Sequence, residues 1–164
     1  MVKKNINIYS NDPKQGGGVA YLNSCLIESF RINFDANTKI LAFCSVKDFF
    51  WRSKSEMVFH EQEVIPFSFH FRGKAHSPKS NFLEGPVFST VGSAAFIPEN
   101  LEPSWLWVST IMRDEKSAKL HKYLPEIEDR EFENLRKCKK IFTNSNFTQS
   151  RLWEVFGVES ELLY

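Results

Sequence analysis

Three consecutive glycines, Gly16, Gly17 and Gly18, are the residues best placed for chemistry in this chain. They stand between a short apolar run, NINIYS at 5–10, and a stretch whose apolar residues recur at helical spacing. Glycine has no Cβ, so its backbone N–H groups can approach an anion closely, and a helix that follows offers its positive end. That arrangement suits contact with a phosphate or a sugar. The other reading is a plain turn. Two specific motifs are excluded. Tyr21 holds the place of the last glycine in G-x-G-x-x-G, and no Lys-Ser/Thr pair follows to make a P-loop.

A second constellation is STIMRDE at 109–115. Arg113 can grip a phosphate or carboxylate in a bidentate fork. Asp114 suits a helix cap, a sugar-hydroxyl acceptor or a base; the plain alternative for the pair is a cap and a surface ion pair. Thr110 leads into this stretch. In FTNSNFT at 142–148, Ser145 or Asn146 caps the helix that follows, and its position at a strand end allows a second role toward a ligand. The Asn-Phe-Thr triplet has the form of a glycosylation acceptor, but in a cytosolic chain it reads as a cap. His70 and Arg72 share the polar side of VIPFSFHFRG with Ser68, opposite Phe67, Phe69 and Phe71. A lone histidine there is more often a surface or packed residue than a catalytic one. His60, His76 and His121 make no metal-ligand spacing with it. Lys116, Lys119, His121 and Lys122 give one segment a basic side, which reads as a solvated face or as one resting on anionic lipid.

The elements that must hold these residues follow from the hydrophobic pattern. NINIYS reads as a strand; Val19, Leu22, Leu26 and Phe30, with Ile27, form a helical stripe; KILAFCS at 39–45 is a continuous apolar strand. Strand, glycine turn, helix and strand make a βαβ unit, hence a parallel sheet. Residues 64–73 form a half-buried strand, 86–92 another, and 93–100 a short helix. SWLWVSTI at 104–111 is a strand. DEKSAKLHKYL is a helix ended by Pro125. A second helix spans 126–140, with Phe132, Leu135 and Cys138 on one face. A strand, a helix stopped by Gly157, and a last strand complete the chain. This alternation predicts one α/β domain over residues 1–164, an open, mainly parallel sheet with helices on both faces. Ligands then bind outside the carboxyl ends of the strands, at 16–18, 45–48, 91–93, 110–115 and 144–146.

Composition narrows the class. The formal net charge of +1 gives no electrostatic case for nucleic acid. The three cysteines, Cys25, Cys44 and Cys138, stand far apart among apolar residues and read as buried, reduced thiols of a cytosolic protein. No secretion signal follows the first lysines, and no run approaches the ~20 apolar residues of a membrane span.

GGGVAYL after the first strand, and KCKKIFTNSNFTQSRLWEVFGVESELLY at the end, together resemble the N-terminal half of a GT-B glycosyltransferase. The group concerned is the retaining one of glycogen-synthase-like and mannosyltransferase-like members. The resemblance covers most of the chain as an order of elements, and is specific in residues only at 17–22 and 140–163. It implies a Rossmann-like acceptor-binding domain facing, in cis or in trans, a second domain that binds the nucleotide-sugar. It further implies that Gly17 and Gly18 approach the donor diphosphate across the cleft, that no metal or other cofactor is needed, and that the acceptor is a glycan, lipid or small molecule. Many members carry a histidine after the strand matching WLWVSTI. It is missing here, and Arg113 and Asp114 take its place by position only. The donor domain's Glu-rich motif is also missing, so residues 1–164 alone are expected to transfer sugar poorly. His70, Arg72, Thr110, Ser145 and Asn146 are the acceptor-side candidates. Location is expected in the cytoplasm, including the inner face of a membrane. The alternative class is a non-catalytic α/β module that binds a glycan or a partner protein.

Overall fold

The computed structural model describes residues 4–11, 13, 17–51, 58–71, 74–77, 83–114 and 124–163. Its sheet grows from β1 (Lys4–Asn11), whose residues Ile8, Tyr9 and Ser10 are completely buried. Helix α1 (Gly17–Phe34) returns the chain to β2 (Ala36–Cys44), which pairs parallel with β1 along its whole length. A short helix, α2 (Val46–Trp51), precedes β3 (Val58–Phe59), β4 (Gln62–Phe71) and β5 (Lys74–His76). The chain then crosses to the other side of β1. There β6 (Val87–Gly92), β7 (Trp105–Val108), β8 (Lys140–Thr143) and β9 (Glu161–Leu162) follow one another outward, with α3 (Leu124–Lys137) and α4 (Asn146–Phe156) between the later ones.

The resulting order is β3-β4-β2-β1-β6-β7-β8-β9, with β5 beside β4. All pairings are parallel except β3–β4 and β4–β5. The parallel strands thus run third, second, first, fourth, fifth, sixth, seventh, the order of a Rossmann-like open sheet. Alternate residues feed two layers. Ile8, Ile40, Ala42 and Phe88 meet Ile27 and Phe30 of α1, with Phe49 of α2 at the margin. Tyr9, Leu41, Val91, Leu106 and Ile141 meet Leu135 of α3 and Leu152 of α4. Helices therefore cover both faces, as the alternation of elements predicts.

Several local expectations are corrected. The three phenylalanines of β4 do not share a face. The register against β2 shifts between Ala42 and Phe43, and this bulge changes the phase of the alternation. Phe67 falls in the layer of Tyr9, while Phe69 packs on Phe49 of α2, 4.9 Å between centroids. Ser68 is buried rather than solvated. Its hydroxyl lies 2.6 Å from Tyr9 Oη, which donates its one proton to the Phe96 carbonyl at 2.7 Å, so Ser68 must be the donor to Tyr9. Pro125 sits in the first turn of α3, where a missing N–H costs nothing, and residues 115–123 of the helix expected before it lie outside the described residues. The buried residues of α3 are Ile127, Arg130, Glu131, Asn134 and Leu135; Phe132 is exposed and stacks on Phe156. Strand β7 is shorter than expected, since Ser109 and Thr110 N–H both turn to the Gly92 carbonyl. Cys44 is buried but Cys25 is exposed. Burial pushes the Cys138 thiol up to about 12, so it stays protonated. The basic set Lys116, Lys119, His121 and Lys122 lies outside the described residues. No described helix is long and apolar enough to cross a membrane.

Candidate functional site

Strand order reverses at β1, which has β2 on one side and β6 on the other. A crevice opens at such a point, outside the carboxyl ends of the two strands. Here those carboxyl ends are Asn11, the last residue of β1, and Gly92, the last of β6. The Asn11 side-chain amide reaches the Val91 carbonyl at 3.5 Å and ties the two ends together. Helix α1 starts at this rim with Gly17 and Gly18, and its first turn carries no acidic residue to offset the positive end of the helix.

The two described glycines differ in what they require. Gly17 has φ +83, a conformation that side chains of other residues adopt only with strain. Gly18 is not so constrained. A Cβ built on either would meet nothing within 4 Å. Backbone geometry therefore accounts for Gly17, while among the described residues no neighbour demands the missing side chain of Gly18. Gly16 lies outside the described residues.

Polar side chains from the helices hold the rim in place. Asn23 of α1, fully buried, donates to Ser10 Oγ at 2.6 Å and accepts from Thr90 Oγ1 at 2.7 Å, clamping β1 to β6. Glu131 of α3, 1% exposed, does the same for the next two loops. Its carboxylate accepts from Ser93 Oγ at 2.5 Å, just after β6, and from Met112 N–H at 2.9 Å, just after β7. Burial pushes its carboxyl up to about 7, outweighing the two hydrogen bonds; the Glu128 and Asp114 charges push the same way. Asn134, one turn on, donates to the Ala94 and Ile97 carbonyls. Gly92, at φ +87, lets its carbonyl receive both Ser109 and Thr110 N–H.

A recess of about 130 Å³ lies at the carboxyl ends of β7 and β8, lined among others by Thr110, Asp114, Phe147, Thr148 and Arg151. Asp114 is gripped there by Arg151 of α4, whose Nε and Nη2 donate at 2.9 and 2.7 Å. These bonds hold the Asp114 carboxyl below its ordinary range and the Arg151 guanidinium above its own. Arg113 turns instead to α3, with Nε and Nη2 3.2 and 2.9 Å from the Glu128 carboxylate. Ser145 caps α4, accepting from Thr148 N–H at 3.1 Å, and Asn146 is the exposed first residue of that helix.

Of the residues singled out from the sequence, Thr110 and Asp114 therefore come together, with Ser145 next to them through Thr148. Gly17 and Gly18 form the rim at the switch point. His70 is on β4, separated from β1 by β2, and Arg72 lies outside the described residues. Among the described residues no three His, Cys, Asp or Glu side chains could hold a metal ion together. Sequence reasoning missed Asn23, Glu131, Asn134 and Arg151. A signal for two of them existed. Asn23 stands four residues from Val19 and from Ile27, and Glu131 four from Ile127 and from Leu135. Each is a polar residue at a position where the helical period places the core. No family model, no curated protein and no solved structure matches the chain.

Proposed function

We propose that this chain is the acceptor-side domain of a GT-B glycosyltransferase, whose rim at Gly17 and Gly18 faces the diphosphate of a nucleotide-sugar held mainly by a second domain. The observation that supports the reading most is Gly18. It lies in the first turn of α1 at the switch point of a Rossmann-like sheet, and among the described residues nothing stands within 4 Å of a Cβ built there. Backbone N–H groups at such a position suit a leaving diphosphate, on which negative charge grows as the sugar departs. The Thr110–Asp114–Arg151 corner supplies polar groups for acceptor hydroxyls.

The test uses the ¹⁵N-labelled chain titrated with a nucleoside diphosphate and with its sugar conjugates. Weak saturation is expected, on the order of millimolar, with the largest amide shifts at Gly17 and Gly18. Gly18→Ala should abolish those shifts and leave the melting temperature unchanged or higher, because alanine is the better helix former. Shifts confined to other rims, or Gly18→Ala binding as before, would overturn the reading. Tight binding to the isolated chain would overturn the shared-donor arrangement.

One observation favours a second reading, a glycan- or partner-binding module with no chemistry of its own. Arg113 and Asp114 are both paired inside the chain. If Asp114→Asn changes glycan affinity and no transfer is found with any companion domain, the module reading stands.

A further inference from the structure

Helix α2 buries none of its residues. It is held by its cap: Ser45 Oγ accepts from Asp48 N–H at 3.1 Å and donates to the Asp48 carboxylate at 2.7 Å, a reciprocal box that fixes the first turn. The helix ends in Phe49-Phe50-Trp51, and the rings continue onto the β4–β5 hairpin. Phe49 and Phe50 lie 4.9 and 5.7 Å from Phe69, Phe50 is 5.8 Å from Trp51, and His76 stacks on Phe69 at 5.7 Å. Only the inner members are covered. Phe50 is 60% exposed, Trp51 74% and Phe71 49%. The outer rings therefore present apolar surface to solvent, and a contiguous apolar patch on a surface marks an interaction site.

Charge says what the ridge meets. Lys47 and Lys74 flank it and are exposed. Residues 46–55 and 71–80 of the sequence carry Lys47, Arg52, Lys54, Arg72, Lys74 and Lys79 against the single acid Asp48, whose carboxylate already accepts from Ser45. The rest of a chain whose formal net charge is +1 is therefore net negative. Exposed aromatic rings with Lys47 and Lys74 beside them fit the boundary of an anionic bilayer, where rings insert at headgroup level and the cations meet lipid phosphates and carboxylates. The ridge also follows the carboxyl ends of β2 and β4, the same rim of the sheet as Asn11 and Gly92.

We propose that Phe50, Trp51 and Phe71, with Lys47 and Lys74, form a docking surface for an anionic lipid membrane. The chain rests there with the carboxyl rim of its sheet toward the bilayer. This inference does not depend on the transfer reaction proposed above.

The experiment is co-sedimentation of the whole chain with vesicles of phosphatidylcholine alone and of phosphatidylcholine mixed with phosphatidylglycerol, at low and high salt. Binding is expected to the anionic vesicles only, and to weaken as salt screens the attraction. Phe50→Ser with Trp51→Ser, and separately Lys47→Glu with Lys74→Glu, should each lower the partition coefficient by ~10-fold or more. All four sites are solvent-facing, so melting temperatures should hold, and a control on the opposite rim, Glu63→Gln, should bind as the parent does. No sedimentation with either vesicle, equal binding to both, or ridge variants that bind normally would overturn the proposal. So would a dimer in analytical ultracentrifugation that Trp51→Ser converts to monomer, since a second copy would then cover the ridge.

Discussion

Glu131 should make this protein less stable as the pH rises through neutrality, and replacing it with glutamine should remove that loss. Its carboxyl is raised from 4.5 to about 7 in the folded chain, chiefly by burial. Below pH 4.5 it is protonated both folded and unfolded, and it contributes no pH dependence. Between 4.5 and 7 the unfolded chain releases the proton and the folded chain keeps it, so stability falls with pH. Above 7 both states are charged and the loss is complete. At about 1.4 kcal/mol for each pH unit of that window, the loss amounts to ~3 kcal/mol. In Glu131→Gln the new amide can accept from Met112 N–H with its oxygen and donate to Ser93 Oγ with its nitrogen, so the shape and both contacts survive. Urea unfolding of parent and variant at intervals from pH 4.5 to 8.5 tests this. The variant should match the parent at the acid end and exceed it by ~3 kcal/mol above neutrality. Subtracting the curves cancels every other titrating group. A difference that stays flat with pH would refute the reasoning, as would a variant less stable than the parent above neutrality. Glu131→Ala is the control. It leaves the Met112 N–H and the Ser93 hydroxyl without their partner and should lie ~1–3 kcal/mol below Glu131→Gln at all pH values, since neither variant titrates at this position.

Two further outcomes follow from local geometry. Ser145→Ala removes the cap of α4 and should cost ~1 kcal/mol in chemical unfolding, with Ser145→Asp recovering most of it; equal stability of the alanine variant would show the cap to be idle. Gly92→Ala should cost ~1–3 kcal/mol because φ +87 is strained for alanine, and its Cβ would stand 3.1 Å from Ser109 Oγ. Adding Ser109→Gly should not rescue it; full rescue would show that the contact, and not the backbone, carries the cost.

The sequence by itself determined the features whose causes lie within a few residues. The start of α4 at Ser145 or Asn146 and its stop at Gly157 were legible, because a cap is a contact across three or four positions, and the structure makes Ser145 the cap. The βαβ opening was legible because the apolar period changes from strand to helix within one segment. The parallel sheet and its two layers followed from that alternation. What only the tertiary structure decided is the set of polar clamps behind the rim. Asn23 meets Thr90 across 67 residues, Glu131 meets Ser93 across 38, and Tyr9 meets Ser68 across 59. A buried polar side chain is tolerable only when its partner arrives, and no local pattern specifies a partner so distant. The bulge opposite Phe43 belongs to the same class. One unpaired residue in a ladder reverses which side chains face the core, so the even spacing of Phe67, Phe69 and Phe71 gave the wrong faces until β2 was in place.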